Sequence, residues 1–207
     1  MQSKQTTAKW INGAGGMATI INLSAKKSTM KKIFLFCAVA LLQQAAFANI
    51  TDSIPANPKD VESVNAIVAA VYDVISGPAG QKRNWDRMRT LFIPEARLIP
   101  TGKRQDGSFG KRVMSVEEYI TNSGPILERD GFFEREIGRK QEQFGNIVHV
   151  FSTYDSKRKL EDEKPFARGI NSIQLWNDGS RWWIMTIFWQ GENKDQPIPE
   201  KYIGTKD

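Results

Sequence analysis

Residues 145–190, GNIVHVFSTYDSKRKLEDEKPFARGINSIQLWNDGSRWWIMTIFWQ, decide how the rest of the chain is read. Their composition predicts strands over 146–154, 167–176 and 181–190, the last two joined by Asn177-Asp178-Gly179. Three residues with Gly last suit a type I turn closed by a left-handed residue and a G1 bulge. That turn sets Trp176 opposite Ser180 and fixes the register of the hairpin. Alternation then puts Asn171, Ile173 and Leu175 on one face with Trp183, Met185, Ile187 and Trp189. A face so large and apolar is a core floor or a pocket wall. The opposite face holds Trp176, Trp182, Ile184, Thr186 and Phe188, and exposed it would mark an interface.

The N-terminal part of the 207-residue chain has a different character. Met30-Lys31-Lys32 precedes the apolar run 33–42 and then Ala46-Phe47-Ala48. A basic start, a short apolar segment and a small-x-small site spell a secretory signal peptide, cleaved at Ala48-Asn49. The run is too short to span a bilayer stably, so no membrane anchor is expected. Residues 1–29 read as an upstream extension from a mis-assigned start, 49–57 as a mobile arm and 58–207 as a single domain. The expected destination is the periplasm or the exterior. Six of the 29 basic residues lie in the leader, leaving 23 against 23 acidic residues from Asn49 onward. The overall charge of +6 therefore belongs to the leader, and a neutral mature domain has no footprint for nucleic acid. The one cysteine, Cys37, also lies in the leader, so neither a disulfide nor a thiol nucleophile is expected.

Along the chain, Asn57-Pro58-Lys59-Asp60 is a helix start, with a capping Asn, Pro in the first turn and an acid to meet the dipole. Val61, Val64, Val68, Val71 and Ile75 recur at helical spacing, with Tyr72 on the buried side. Gly77-Pro78-Ala79-Gly80 stops that helix. A shorter helix follows over 85–92, capped by Asn84, then a short strand over 96–100 and a polar loop over 101–110. Ser115-Val116-Glu117-Glu118 is a capping box opening a third helix, which carries Tyr119 and loosens near Gly124-Pro125. Residues 132–144 read as a mostly polar strand. Helices first and antiparallel strands after give an α+β domain with helices covering one face of a sheet.

Tyr72-Asp73-Val74-Ile75-Ser76-Gly77, Trp85-Asp86-Arg87-Met88 and Leu91-Phe92-Ile93-Pro94-Glu95-Ala96, taken in order with 115–123, 145–154 and 177–190, carry a resemblance. The pattern resembles the nuclear transport factor 2-like (cystatin-like α+β barrel) superfamily, which includes ketosteroid isomerases and polyketide cyclases. The resemblance implies N-terminal helices packed into a strongly curved antiparallel sheet that forms a cone-shaped barrel around a cavity. It implies that Tyr72 stands where the isomerases keep an oxyanion-binding phenol and Asn171 where they keep a protonated acid. Tyr119 falls at an aromatic pocket position. Pro100 falls where the general base should be, and enolisation cannot proceed without one. Dimerisation through the sheet is common in the superfamily, which implies a homodimer through Trp176, Trp182, Ile184 and Phe188.

Each candidate has a plainer alternative. Tyr72 is either a pocket hydrogen-bonder or a core tyrosine with a backbone partner. Asn171 needs its amide satisfied, by a ligand or by an ordered water. Trp183, Met185 and Trp189 are core, ligand wall or both. His149 is a base only if it faces inward; the resemblance turns Val148 and Val150 inward instead. Glu142 sits opposite His149 if the Gly145-Asn146 turn has two residues. No metal-ligand set, phosphate-binding glycine loop or nucleophile elbow is present, so no cofactor is expected. These residues imply an exported protein holding a small apolar or amphipathic molecule, with Tyr72, Tyr119, Asn171, Trp183, Met185 and Trp189 around it. The alternative is a lyase, cyclase or isomerase with an unlocated base, for which His149 is the titratable candidate.

Overall fold

The computed structural model describes residues 54–204; the upstream extension, the signal peptide and most of the arm lie outside the described residues. Asn57 accepts the Lys59 amide and caps a first short helix, α1 (Pro58–Val61). The spacing predicts one helix to Ile75, yet the chain breaks at Ser63. Its hydroxyl accepts the Ala66 amide at 3.1 Å and opens a new helix, α2 (Val64–Ile75). A serine offers the backbone a local partner, which favours a cap over continuation. Ile67, Val68, Val71, Tyr72 and Ile75 form the buried stripe of α2.

Asn84 caps α3 (Trp85–Leu91), which runs without a loop into β1 (Phe92–Lys103). This strand is longer than predicted. Its register against the neighbouring strand shifts between Phe92 and Arg97, so Pro94 lies where no ladder bond is required. Part of the predicted polar loop forms a short strand, β2 (Phe109–Lys111), paired to Thr101–Lys103. The capping box is present: the Glu118 amide donates to Ser115 Oγ at 3.1 Å and the Ser115 amide to Glu118 Oε2 at 2.7 Å. It opens α4 (Val116–Asp130), which runs through Pro125 unbroken. Gly124 lies close under Trp85, where a Cβ would stand 3.0 Å from the ring and the indole would have to shift.

The strands β3 (Phe133–Phe144), β4 (Ile147–Lys157), β5 (Ala167–Asn177) and β6 (Trp182–Gly191) complete a six-stranded sheet in the order β2-β1-β6-β5-β4-β3. All neighbours are antiparallel except β1 and β6. The fold is α+β, as predicted, and the sheet is strongly curved. Its edges β2 and β3 do not meet, so the cone stays open and is not a closed barrel. Shifts of register at Glu136/Gly138 and Gln174/Leu175 bend it, as bulges do. The core lies between the helices and the concave face, with Ile67, Met88, Leu91, Ile173, Leu175 and Ile184 almost fully buried. Residues 192–204 cross the outer face, where the Gly204 amide donates to the Ile137 carbonyl and Thr153 Oγ to that of Tyr202. No helix among the described residues is long and apolar enough to cross a membrane.

The last hairpin corrects the predicted register. Asn177 pairs with Trp182 and Trp176 with Trp183, so the loop is Asp178–Arg181 and Trp176 does not face Ser180. Asp178 stabilises this wider loop, accepting the Ser180 amide at 2.8 Å, the Arg181 amide at 2.9 Å and Trp183 Nε1 at 2.7 Å. The slip is three residues, an odd number, so faces invert at the tip. Trp182 and Ile184 turn inward, while Trp183 turns outward. Met185 is the bulged residue, and beyond it the pairs Ile173–Ile187 and Asn171–Trp189 restore the predicted faces. Trp183 and Met185 therefore line an outer groove with Ile93, Pro94 and Trp176. The outer apolar row predicted for the interface changes accordingly. It runs Phe144, Ile147, Trp176, Trp183 in register across four strands, and it contains neither Trp182 nor Ile184.

Candidate functional site

The inner face of β4 begins apolar and turns hydroxylic: Val148, Val150, then Ser152, Tyr154 and Ser156. Pairing places Ser152 beside Asn171 on β5, and Tyr154 and Ser156 beside Glu136 and Glu134 on β3. From the helical side, Tyr72 reaches into this group. Asn171 Nδ2 donates to the Tyr72 hydroxyl at 3.0 Å and lies 3.4 Å from Glu134 Oε1. Ser156 Oγ donates to Glu134 Oε2 at 2.8 Å. The Tyr72 hydroxyl is 2.7 Å from Ser152 Oγ, which donates to Glu136 Oε1 at 2.6 Å. Arg139 clamps the Glu136 carboxylate with two nitrogens, at 2.8 and 2.9 Å.

Of these, Tyr72, Glu134 and Asn171 stand at the polar end of a cavity of about 110 Å³, whose remaining lining includes Tyr119, Tyr154, Trp189, Leu98 and Ile187. Tyr119 packs edge-on against Trp189 with ring centroids 6.3 Å apart. Tyr154 finds room because its partner is Gly169, where a Cβ would come within 2.5 Å of the phenol oxygen. A wider cleft of about 790 Å³ runs between α2 and β3, past Asn65, Asp73 and Arg139. Tyr72 and Glu134 line both spaces and form their shared wall.

Burial pushes the Glu134 carboxyl from its ordinary 4.5 up to about 7; the Ser156 and Asn171 hydrogen bonds oppose this, and the Asp155 charge adds to it. Burial also pushes the phenols of Tyr72, Tyr119 and Tyr154 above their usual range, and the charge of Glu134 pushes them further. All three tyrosines stay protonated at neutral pH. The arrangement is a carboxyl poised near neutrality among protonated hydroxyls in an apolar space, which suits proton transfer.

Of the residues singled out from sequence, the structure brings Tyr72, Tyr119, Asn171 and Trp189 together. Trp183 and Met185 are on the outer face, because the hairpin slips by an odd number of residues before the bulge. His149 is also outside: the two-residue turn sets it opposite Glu142, and its Nε2 lies 2.9 Å from Ser172 Oγ. It therefore cannot serve as a base in the cone. Pro100 pairs with Trp189 and offers no carboxylate. The carboxylate that no sequence pattern singled out is Glu134, from β3, the strand that follows α4 in the chain. The hydroxylic row Ser152, Tyr154, Ser156, in phase with Val148 and Val150, was the available signal, since such a row on an inner face requires polar partners. Among the described residues, no group of three or more His, Cys, Asp or Glu side chains is placed to hold a metal ion.

No protein-family model and no curated protein matches the sequence. Solved structures do resemble it. A protein of unknown function with a cystatin-like fold from Nostoc punctiforme is 12% identical, with a TM-score of 0.48 over 68% of this chain and 97% of its own. An NTF-2 like protein of unknown function from Silicibacter pomeroyi is 11% identical, with a TM-score of 0.43 over 63% of this chain and 94% of its own. A protein described as a proposed ketosteroid isomerase, from Parabacteroides distasonis, is 14% identical, with a TM-score of 0.44 over 70% of this chain and 98% of its own. In fold, the chain is similar to the cystatin-like, NTF-2 like proteins.

Proposed function

We propose that the cone is a proton-transfer site. Glu134 takes a proton from a carbon next to a carbonyl in a small molecule, and the proton returns elsewhere on the same intermediate. This is isomerase chemistry. The observation that carries the reading is Glu134 itself, a carboxyl inside an apolar cavity whose proton affinity is matched to neutral pH. The cavity is smaller than the few hundred Å³ of ordinary ligand pockets. The cone therefore suits a molecule of few atoms, or the reacting end of one whose remainder lies in the cleft. The test is proton NMR in heavy water with acetone and cyclopentanone. The wild type should speed loss of the hydrogens next to the carbonyl, increasingly as pH rises through about 7, and Glu134→Gln should not. Exchange no faster than in buffer alone overturns the proposal.

A second reading, holding of an apolar or amphipathic molecule without turnover, is favoured by the bonds that already occupy Glu134 from Ser156 and Asn171. Native mass spectrometry of the purified protein tests it, since a co-purified molecule that survives Glu134→Gln supports holding. We also propose a homodimer through the outer row Phe144, Ile147, Trp176 and Trp183. Phe144 and Ile147 are strongly exposed for such large apolar side chains. Sedimentation of wild type and Ile147→Lys tests this: a monomeric wild type would end it. Export rests on the Met30–Ala48 pattern, and N-terminal sequencing of protein from the periplasmic fraction should begin at Asn49.

A further inference from the structure

The hydrogen bonds around Tyr72 have a fixed direction. A carboxylate only accepts, so the single proton of Ser152 is committed to Glu136. Ser152 must then accept from Tyr72, which spends the phenol proton on the side away from the cone. On its other side Tyr72 accepts from Asn171. The Arg139 clamp on Glu136, completed by Asn65 at 2.6 Å from a third guanidinium nitrogen, holds the far end of the chain still. Tyr72 therefore has no proton to offer a ligand. Tyr119 and Tyr154 differ from it. Both line the cavity close enough to feel the Glu134 charge, and among the described residues neither hydroxyl has a hydrogen-bond partner.

We infer that Tyr119 and Tyr154, and not Tyr72, donate hydrogen bonds to the ligand oxygen in the cone, while Tyr72 is a positioning residue. Its oxygen holds the Asn171 amide, whose nitrogen in turn faces Glu134. The cone thus presents two phenol donors across from one carboxyl, which matches a neutral carbonyl compound whose oxygen lies between Tyr119 and Tyr154. An anionic carboxylate ligand is disfavoured by Glu134 in its ionised form. The inference rests on the reading of the cone as the ligand site.

The probe is acetone, isotope-labelled at the carbonyl carbon and followed by carbon NMR, whose shift reports hydrogen bonding to the oxygen. The wild type should bind it with a downfield carbonyl shift. Tyr119→Phe and Tyr154→Phe should each weaken binding about five- to tenfold, the loss of one net hydrogen bond, and move the bound shift upfield. Tyr72→Phe should leave the bound shift in place. Loss of the shift in Tyr72→Phe alone overturns the inference and leaves the cone reading standing. No binding of acetone to the wild type overturns both. A measurement without variants guards against a misfolded Tyr72→Phe: in the unliganded wild type, the Tyr72 hydroxyl proton should exchange with water at least tenfold more slowly than those of Tyr119 and Tyr154. Equal exchange rates remove the lock and the inference with it.

Discussion

Glu134→Gln separates a desolvated carboxyl from an ordinary one by the pH dependence of stability. In the folded protein the carboxyl titrates at about 7, against 4.5 when unperturbed. At about 1.4 kcal/mol for each tenfold change in proton affinity, ionising it in place costs about 3 kcal/mol. The folded state holds the proton more tightly than the unfolded state does. Stability is therefore full below the unfolded value, is lost as pH rises from about 4.5 to about 7, and is level above. Gln carries no charge and loses nothing over that interval. Its amide oxygen can accept from Asn171 while its nitrogen donates to Ser156 Oγ, so Gln stands in for the protonated acid at every pH. The variant should thus be within about 1 kcal/mol of wild type near pH 4.5 and roughly 3 kcal/mol more stable near pH 8. Urea unfolding at both values reads this directly. Parallel stability profiles for the two proteins would mean that Glu134 is well hydrated, and the case for it as a base near neutrality would fail.

Gly169→Ala sets a methyl group against the Tyr154 phenol and the Gln190 carbonyl, and backbone cannot give way. A loss of about 1–3 kcal/mol in thermal denaturation is expected, and an unchanged midpoint contradicts the packing. Arg139→Met strands the Glu136 carboxylate, which is only 10% exposed; urea unfolding should show a loss of about 3–5 kcal/mol, and a loss below about 1 kcal/mol would count against the clamp. Deleting Met185 removes the bulge and leaves Ile184 inward, Thr186 outward and Ile187 inward in plain alternation, so the variant should still unfold cooperatively; loss of the cooperative transition would contradict the register. Met185→Gln, in the outer groove, should stay within about 1 kcal/mol of wild type.

The elements were legible where local chemistry decides them. The capping box at Ser115, the Asn84 cap, the stripe of α2 and the three late strands all depend on residues near one another in the chain. The register of the last hairpin was not, because Asp178 gathers its own loop donors and thereby widens a turn whose composition suits three residues. From that one error follow the outward placement of Trp183 and Met185 and the inward placement of Trp182 and Ile184. Asn171, Ile187 and Trp189 were placed on their true face because the bulge restores parity before they are reached. Glu134 stayed hidden for another reason. Along a polar strand no periodicity tells which carboxylate faces inward; only the pairing with Ser156 and Tyr154 does.

Through Tyr72 and Glu134 the cleft and the cone share a wall, and the Glu134 carboxyl faces both. A solute that fills the cleft strips hydration from the Glu134 carboxyl without ever entering the cone, and so tightens its hold on the proton. Proton uptake from a weakly buffered solution near neutral pH, on adding a cleft-filling compound, is the signature of that coupling. One carboxyl in a shared wall would thus tie the filling of one space to the protonation of the other.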